Sequence, residues 1–252
     1  MVSGAGRSDT TWPDGRGNGD GTHGPVSGRS ARAVLAPVLR VPLGLIAVLA
    51  ALVVVVLGVR YAGAGEAGTV DARIVAAVYG VGPPWHQVAL ALDFLGEPAG
   101  SVMVIVAVVM GWLVLRCPRA AVLTVAGVAV TVGAATLLKH LVGRTIHGDG
   151  NLSYPSGHTA FATALALAVA LPATGRLGLG RAAGTSLVLT ASLVAGAAMG
   201  WAQVALGAHY PTDVLGGWCT ALAVMSATAW LVDRTADRLL DRTADAGQRE
   251  LR

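Results

Sequence analysis

Apolar residues along this chain are gathered into long runs, and short polar segments separate one run from the next. Most runs approach the roughly 20 residues that an α-helix needs to cross the hydrocarbon core of a bilayer. The fourth run is shorter and is predicted to begin in the turn at 156–158. We therefore predict an all-α, polytopic membrane protein, a bundle of six transmembrane helices near 41–59, 99–115, 120–138, 159–173, 182–206 and 214–232.

The segment between the first two runs, 61–98, is only partly apolar. Its pattern predicts two short helices that lie at the membrane surface, near 74–81 and 88–95. Proline residues interrupt this segment at 83–84 and end it at 98, because proline cannot continue a helix. Alternatively, one of these short helices extends the second span.

The two ends of the chain are polar and divide it into three parts. Residues 1–38 are rich in Gly, Ser, Asp, Thr and Arg, so we predict a disordered N-terminal tail that cannot bury a core. Residues 39–232 are predicted to form the membrane domain. Residues 233–252 are predicted to form a charged C-terminal tail with some potential for helix.

The composition supports a membrane location and indicates a topology. Hydrophobic residues make up 54% of the chain and charged residues only 13%, whereas soluble domains carry about 25% charged residues. Fourteen of the 18 basic residues lie in the two tails and in the loops that share their side of the six-span arrangement. Both termini are therefore predicted to be cytoplasmic, and the loops after the third and fifth spans to face outward. No basic stripe interleaved with aromatic residues suggests nucleic-acid binding.

A histidine and an aspartate lie four residues apart after the fifth span. Pro211 suits the first position of a helix, which places Asp213 in the first helical turn and His209 just outside it. A carboxylate in that position can hold the imidazole in one tautomer and make it a better nucleophile or base. The same spacing also fits a helix cap beside an interfacial histidine.

A second histidine follows a turn at the start of the fourth span. Ser156 can cap the following helix, and Gly157 allows a close approach of the backbone. Free N–H groups at a helix start bind anions, and His158 would lie beside such an anion, placed to protonate a leaving oxygen. The alternative is a capped helix with a histidine that has no chemical role.

Two basic residues close the third span on the same predicted outer face. Lys139 is the chain's one lysine, and Arg144 follows five residues later. Cationic side chains can clamp phosphoryl oxygens, although basic residues at span ends also commonly reach toward the interface. No group of residues has convincing metal-ligand spacing, and there is no nucleotide-binding loop, so we predict neither a metal nor a cofactor.

Together these residues resemble the type 2 phosphatidic acid phosphatase superfamily, which includes bacterial undecaprenyl-pyrophosphate phosphatases. The likeness runs from about 60 to 232. The family's Pro-Ser-Gly-His motif is complete at 155–158, and His209 with Asp213 matches the central half of its Ser-Arg-x5-His-x3-Asp motif. The resemblance implies that His209 attacks phosphorus, that Asp213 orients it and that His158 is the acid for the leaving group. The phosphate contacts it implies, with no metal ion, are Lys139, Ser156 and the backbone of Gly157.

Two positions depart from the family pattern. Ile146 and His147 stand where the family has Arg-Pro after its lysine, and Gln203 stands where it has the arginine of Ser-Arg. Arg144 is predicted to supply one of the missing charges from a shifted loop. Gln203 can offer a hydrogen bond to a phosphate oxygen but no charge. Losing a phosphate clamp typically costs about 3–4 kcal/mol in the transition state.

The leading hypothesis is a bacterial cell-membrane phosphatase, with its active site at the outer face, that hydrolyses a lipid phosphate or polyprenyl diphosphate. Its expected partners are this lipid and the bilayer, and the oligomeric state is left open. The alternative is a family member that binds lipid phosphate with little or no catalysis, which the missing arginines favour. The intact pair of histidines and Asp213 argue against it.

Overall fold

The computed structural model describes residues 33–148 and 150–250, and its described residues are helical with no β-strand. A short 3-10 helix at Pro37–Leu39 leads into the first α-helix. The eight α-helices of this part of the chain are α1 (Arg40–Arg60), α2 (Thr69–Val78), α3 (Trp85–Gly96), α4 (Pro98–Val114), α5 (Pro118–Val142), α6 (Gly157–Arg176), α7 (Arg181–Ala205) and α8 (Pro211–Glu250). The predicted residues 1–32 of the N-terminal tail lie outside the described residues.

Five helical segments of the described chain are long and apolar enough to cross a membrane, and the count is six if α3 and α4 form one bent span. These two helices meet at an angle of 70° across Glu97, where Pro98 begins α4. The alternative in which a short surface helix continues into the second span therefore describes this region well. The predicted all-α membrane fold is confirmed, whereas the number of spans is five or six by this criterion.

Helix α6 lies at the centre of the bundle. It packs against α5, α7 and α8. Within its 18-residue apolar stretch, 61% is buried inside the protein, whereas the figure is 22% for the peripheral segment that contains α1. Small residues such as Ala160, Ala164 and Ala168 recur along it and are fully buried, which lets neighbouring helices approach closely. The central position of α6 fixes the depth at which His158, its second residue, stands.

Hydrogen bonds join the first described residues of the chain to α8. Val34 and Leu35 are buried, and their N–H groups each donate to a carboxylate oxygen of Asp233 at 2.9 Å. Helix α8 continues through this point without a break to Glu250. Hydrogen bonding of the backbone at 34–35 thus joins residues of the two predicted tails, and the domain division after residues 38 and 232 stays a prediction.

The loop between α5 and α6 is held against the bundle by Tyr154. This side chain is fully buried, and its hydroxyl donates to the carbonyl of Val54 in α1 at 2.8 Å. Gly216 of α8 lies so close that an added Cβ would come within 2.4 Å of the ring. Burial raises the pKa of the Tyr154 phenol, so its hydroxyl remains a donor. This anchor positions the start of α6 beside the start of α8.

Candidate active site

His209 and Asp213 lie together where the loop after α7 meets the start of α8. Gly207, with a φ of +73°, allows the chain to turn, and the N–H groups of Ala208 and His209 donate to the carbonyl of Gln203. Pro211 is the first residue of α8, as the sequence predicts. His209 Nδ1 lies 3.7 Å from Asp213 Oδ2, beyond a hydrogen bond but close enough for one to form when the site tightens around a substrate.

The surroundings of His209 favour its neutral form. The residue is only 7% exposed, and burial, the largest cause, lowers the pKa of its imidazole below the ordinary value. The charges of Lys139 and His158 also lower this pKa, while Asp213 opposes the shift. An unprotonated ring is the form that can act as a nucleophile. Lys139 and His158 therefore lie near enough to His209 for their charges to act on its ring.

The start of α6 has the predicted cap. Ser156 Oγ accepts from the N–H of Thr159 at 3.3 Å and from its hydroxyl at 3.0 Å. Ser156 is fully buried, and its N–H donates to the carbonyl of Asp213 at 2.9 Å, which joins the starts of α6 and α8. An added Cβ at Gly157 would meet nothing within 4 Å, so this position is open. Ser156 thus holds the helix start, and the backbone at Gly157 remains accessible.

His158 faces two carboxylates of the α3–α4 bend. Its Nε2 lies 3.5 Å from Asp93 Oδ1 and 3.6 Å from Glu97 Oε1. Gly96 makes room for the ring, because an added Cβ there would come within 2.1 Å of the imidazole. Two carboxylates at these distances attract the positive charge of a protonated ring and can orient it.

The bend between α3 and α4 brings both Asp93 and Glu97 to His158. Their spacing of four residues at the end of α3, which places them on one side of the chain, was the available signal. The ligand atoms of Asp93, Glu97 and His158 lie within 4.8 Å of one another, a group that can hold a metal ion among the residues that the structure describes. These ligands are two carboxylates and one imidazole, all at least partly exposed, and this combination does not by itself select a particular metal.

Gln203 is committed to Asp93. Its side chain is almost fully buried, and its Nε2 donates to Asp93 Oδ1 at 2.7 Å. In the family that this chain resembles, position 203 corresponds to a phosphate-binding arginine. Here Gln203 instead orients the carboxylate of Asp93. The predicted contact between Gln203 and phosphate would require this hydrogen bond to be given up.

Lys139 closes α5 beside the same opening. Its Nζ donates to the carbonyl of Leu152 at 2.8 Å, and its side chain lines a cavity of ≈ 380 Å³ with Gly157 and His158. The cavity also touches Phe161, one turn further along α6. Among the predicted cations, Lys139 is the one that the structure places at this cavity.

Arg144 does not face the cavity as predicted. The side chain is fully buried, and its guanidinium donates to Asp213 Oδ1 at 2.7 Å and to Asp71 Oδ2 at 2.8 Å. It is also stacked between Tyr61 and Tyr210, with its Cζ 4.0 Å and 4.5 Å from the two ring centroids. A guanidinium held in this way by protein carboxylates is not placed to clamp a substrate phosphate, so the expected substitute for a missing arginine is corrected to a contact with Asp213.

The family's other arginine corresponds to position 146, and the residue there is apolar in this chain. Ile146 is 4% exposed, and its N–H donates to the carbonyl of Asn151 at 3.0 Å. The adjacent His147 lies 2.8 Å, through Nε2, from the carbonyl of Gly207 in the loop before His209. The loop after α5 therefore contacts the loop before His209 through His147, and position 146 carries no cation.

Asp71 is a site residue that the sequence did not indicate. It is fully buried, although it belongs to the short surface helix α2, and it bonds to Arg144 and to Thr212 at the start of α8. The separation of 141 residues from Thr212 hides this contact from any local pattern. The one available signal was a lone acidic residue in the first turn of an otherwise neutral helix start.

The comparisons with known proteins identify the domain that carries this site. Residues 120–237 match the family model of the PAP2 superfamily. The matched segment, somewhat less than half of the chain, is thus similar to the PAP2 superfamily. The match includes every predicted site residue from Lys139 to Asp213, and it confirms the resemblance that the motifs suggested.

A solved structure shows the same fold over a longer stretch. The chain is similar to the crystal structure of the first transmembrane PAP2 type phosphatidylglycerolphosphate phosphatase from Bacillus subtilis, with 21% sequence identity and a TM-score of 0.57. The similarity covers 76% of this chain and 96% of that one. The search of curated proteins gave no significant match. Its long apolar helices and this likeness in fold indicate a multi-pass membrane protein, and the shared fold extends beyond the matched family segment.

Proposed function

We propose that this chain is an integral membrane phosphatase that hydrolyses a lipid phosphate or polyprenyl diphosphate through a phosphohistidine intermediate. The observation that carries the proposal is the placement of the buried His209 beside Asp213, at 3.7 Å, where burial lowers the pKa of its imidazole and the charge of His158 acts on the ring. These are the nucleophile, its orienting carboxylate and an acid, which phosphoryl transfer through histidine requires.

In the first step, Nε2 of His209 attacks phosphorus. A P–N bond forms, the P–O bond to the lipid breaks, and His158 donates a proton to the departing oxygen. In the second step, water attacks the phosphohistidine, a P–O bond forms and the P–N bond breaks. The neutral His158 takes a proton from that water, so the enzyme returns to its starting state. Asp213 faces Nδ1 and stabilises the positive charge that develops on the ring.

The phosphate is held in this proposal by Lys139 and by the N–H groups at the open start of α6, a place suited to anions. Ser156 contributes by fixing that helix start through its cap. Arg144 and Gln203 are engaged with protein carboxylates, so they are not assigned to phosphate.

A lipid substrate is supported by an apolar groove that begins beside His158. Phe161 lines both the cavity at His158 and a groove of ≈ 300 Å³ that continues along α6 past Leu165 and Val169. The eleven residue steps from 158 to 169 along the helix span about 16 Å, which is half the hydrocarbon core. A headgroup at His158 would thus leave its chain against apolar side chains. The proposed location is a bacterial cell membrane, with cytoplasmic termini and the site facing outward.

The test uses the full chain purified in detergent, offered phosphatidic acid, phosphatidylglycerolphosphate and a polyprenyl diphosphate in separate reactions. We expect phosphate release that His209→Ala abolishes and that His86→Ala, which removes an exposed histidine, leaves intact. A substrate labelled with ³²P should leave an acid-labile, base-stable label on the wild-type chain. Release that survives in His209→Ala would contradict the proposed nucleophile.

A second candidate is a protein that binds lipid phosphate with little catalysis. The pairing of Gln203 with Asp93 and the burial of Arg144 favour it, because neither side chain is available to stabilise charge in the transition state. Lipid binding that persists in His209→Ala, together with no phosphate release by the wild-type chain from any of the three lipids, would select this candidate.

A further inference from the structure

One buried carboxylate near the site comes from a short helix that is otherwise exposed or half-buried. This residue is Asp71 of α2, which is fully buried. A carboxylate leaves water only at considerable cost, unless charged and hydrogen-bonding partners replace the water. The partners of Asp71 therefore indicate what its burial serves.

Those partners lie at the start of α8. Asp71 Oδ1 accepts from the N–H of Thr212 at 2.9 Å, and Asp71 Oδ2 accepts from the Thr212 hydroxyl at 2.8 Å. Thr212 is the second residue of α8, so its N–H is one of the helix's unpaired donors. Asp71 thus caps, from another helix, the turn that carries Asp213.

Arg144 connects Asp71 to Asp213 directly. Its Nη2 donates to Asp71 at 2.8 Å, while its Nη1 donates to Asp213 Oδ1 at 2.7 Å and to Thr212 Oγ1 at 2.6 Å. Because Arg144 occupies Oδ1, the other oxygen, Oδ2, is turned to the Tyr210 N–H at 3.0 Å and to His209. The two oxygens of Asp213 therefore have different partners: Oδ1 accepts from Arg144, and Oδ2 faces the Tyr210 N–H and His209.

We propose that Asp71 and Arg144 are positioning residues that hold the Asp213 carboxylate in the orientation that presents Oδ2 to His209. The proposal rests on the proposed function, since it names two further residues of that site. The planar guanidinium can bridge two carboxylates at once, which the single ammonium of lysine cannot do with the same geometry. The aromatic rings of Tyr61 and Tyr210 hold the plane of the guanidinium in place.

The network also sets the charge near His209. The groups that act on its ring are Asp213, Lys139 and His158, and Arg144 partly neutralises the first of them. Removing the guanidinium leaves Asp213 to attract a proton to the ring more strongly. Removing the charge of Asp71 leaves Arg144 to neutralise Asp213 more fully. The two changes should therefore move the titration of His209 in opposite directions, which a purely structural role would not produce.

The experiment measures kcat, KM and the pH profile of the full chain in detergent for Asp71→Asn, Arg144→Met and Arg144→Lys. The exposed residues Glu66 and Arg73 provide the matched controls Glu66→Gln and Arg73→Met. Arg144→Lys should lower kcat on the order of 100-fold with little change in KM, since a small misplacement of a catalytic group has this effect. The acid limb of kcat/KM should move to higher pH in Arg144→Met and to lower pH in Asp71→Asn.

A readout that does not need turnover separates this proposal from the proposed function. The titration of His209, followed by NMR of labelled histidine and assigned with His209→Gln, should show the same opposite shifts. Titration and pH profiles that match wild type in Asp71→Asn and Arg144→Met, with lowered thermal stability alone, would overturn the positioning role. A wild-type chain that releases no phosphate would instead overturn the proposed function, because the NMR titration still reports on positioning.

Discussion

In helix α8, two buried aspartates stand at the two ends of the stretch 213–233 and do different things. Asp213 and Asp233 are twenty residues apart, about 30 Å along a helix, which is close to the thickness of the hydrocarbon core. Asp213 meets Arg144 at 2.7 Å, whereas Asp233 lies 3.7 Å from Arg119, which instead donates to Asp237 at 2.8 Å. Both ends bury a carboxylate near an arginine.

What distinguishes the two ends is the surrounding chemistry. Asp213 stands beside His209 and in one site with His158 and Lys139. Asp233 accepts the backbone N–H groups of Val34 and Leu35. A buried carboxylate with an arginine is therefore not evidence of a site by itself, since the same pair ties two chain segments together at the other end. The histidine and the cavity make the difference.

The largest effect that tests this comparison is expected from Asp213→Asn. An amide can leave His209 in the wrong tautomer and cannot stabilise its positive charge, so kcat should fall on the order of 10⁴-fold, as in other enzymes whose histidine loses its carboxylate. Steady-state phosphate release measures this loss. A decrease in kcat of less than tenfold would indicate that Asp213, like Asp233, has only a structural role.

A smaller loss is expected from Gly96→Ala. The added methyl would come within 2.1 Å of the His158 ring, so the ring must move away from Asp93 and Glu97. Displacing an acid in this way should lower kcat on the order of 100-fold. Gly111→Ala is the matched control, because an added Cβ there meets nothing within 4 Å. Equal turnover in the two variants would show that the position of His158 does not matter.

Asp233→Asn should affect stability and leave turnover unchanged. It weakens two charge-assisted hydrogen bonds to the backbone of Val34 and Leu35, which should lower the free energy of unfolding by about 2–3 kcal/mol. Thermal unfolding in detergent measures the first effect, and kcat of the folded fraction the second. A drop in kcat comparable to that of Asp213→Asn would remove the distinction between the two ends.

The pH profile provides a more modest test of the end that carries Asp213. Because burial lowers the pKa of His209, its neutral, nucleophilic form persists below the ordinary imidazole range. The acid limb of kcat/KM should therefore lie below pH 6.5, the usual imidazole value. The free energy of unfolding should also decrease as the pH falls. The contribution of the neutral, buried ring is present above the unfolded-state pKa and is lost as pH falls through the folded-state pKa. An acid limb above pH 7 would contradict a buried, neutral nucleophile.

The smallest expected effect is that of a chelator. The proposed mechanism uses no metal ion, so phosphate release should be unchanged after treatment with EDTA. If release instead stops and is restored by a divalent cation, the group of Asp93, Glu97 and His158 is the place to look. Replacement of Glu97 by Gln would then weaken the restoration without abolishing lipid binding.

The sequence by itself determined the helical membrane fold, because runs of about 20 apolar residues leave the backbone few other ways to cross lipid. It also determined which residues start α6 and α8, since capping and proline placement are local effects that Ser156 and Pro211 express directly. The motifs at these helix starts were enough to predict His158, His209 and Asp213 as a group, and the structure joins the two helix starts that carry them through the Ser156 N–H and the Asp213 carbonyl.

Only the tertiary structure decided the destinations of the long polar side chains. Arg144 turned to Asp71 and Asp213, and Gln203 turned to Asp93, whereas the sequence suggested that both face phosphate. A flexible side chain reaches several partners, and the choice depends on which charges the packing brings near. Asp71, separated from Thr212 by 141 residues, became part of the site through that packing alone.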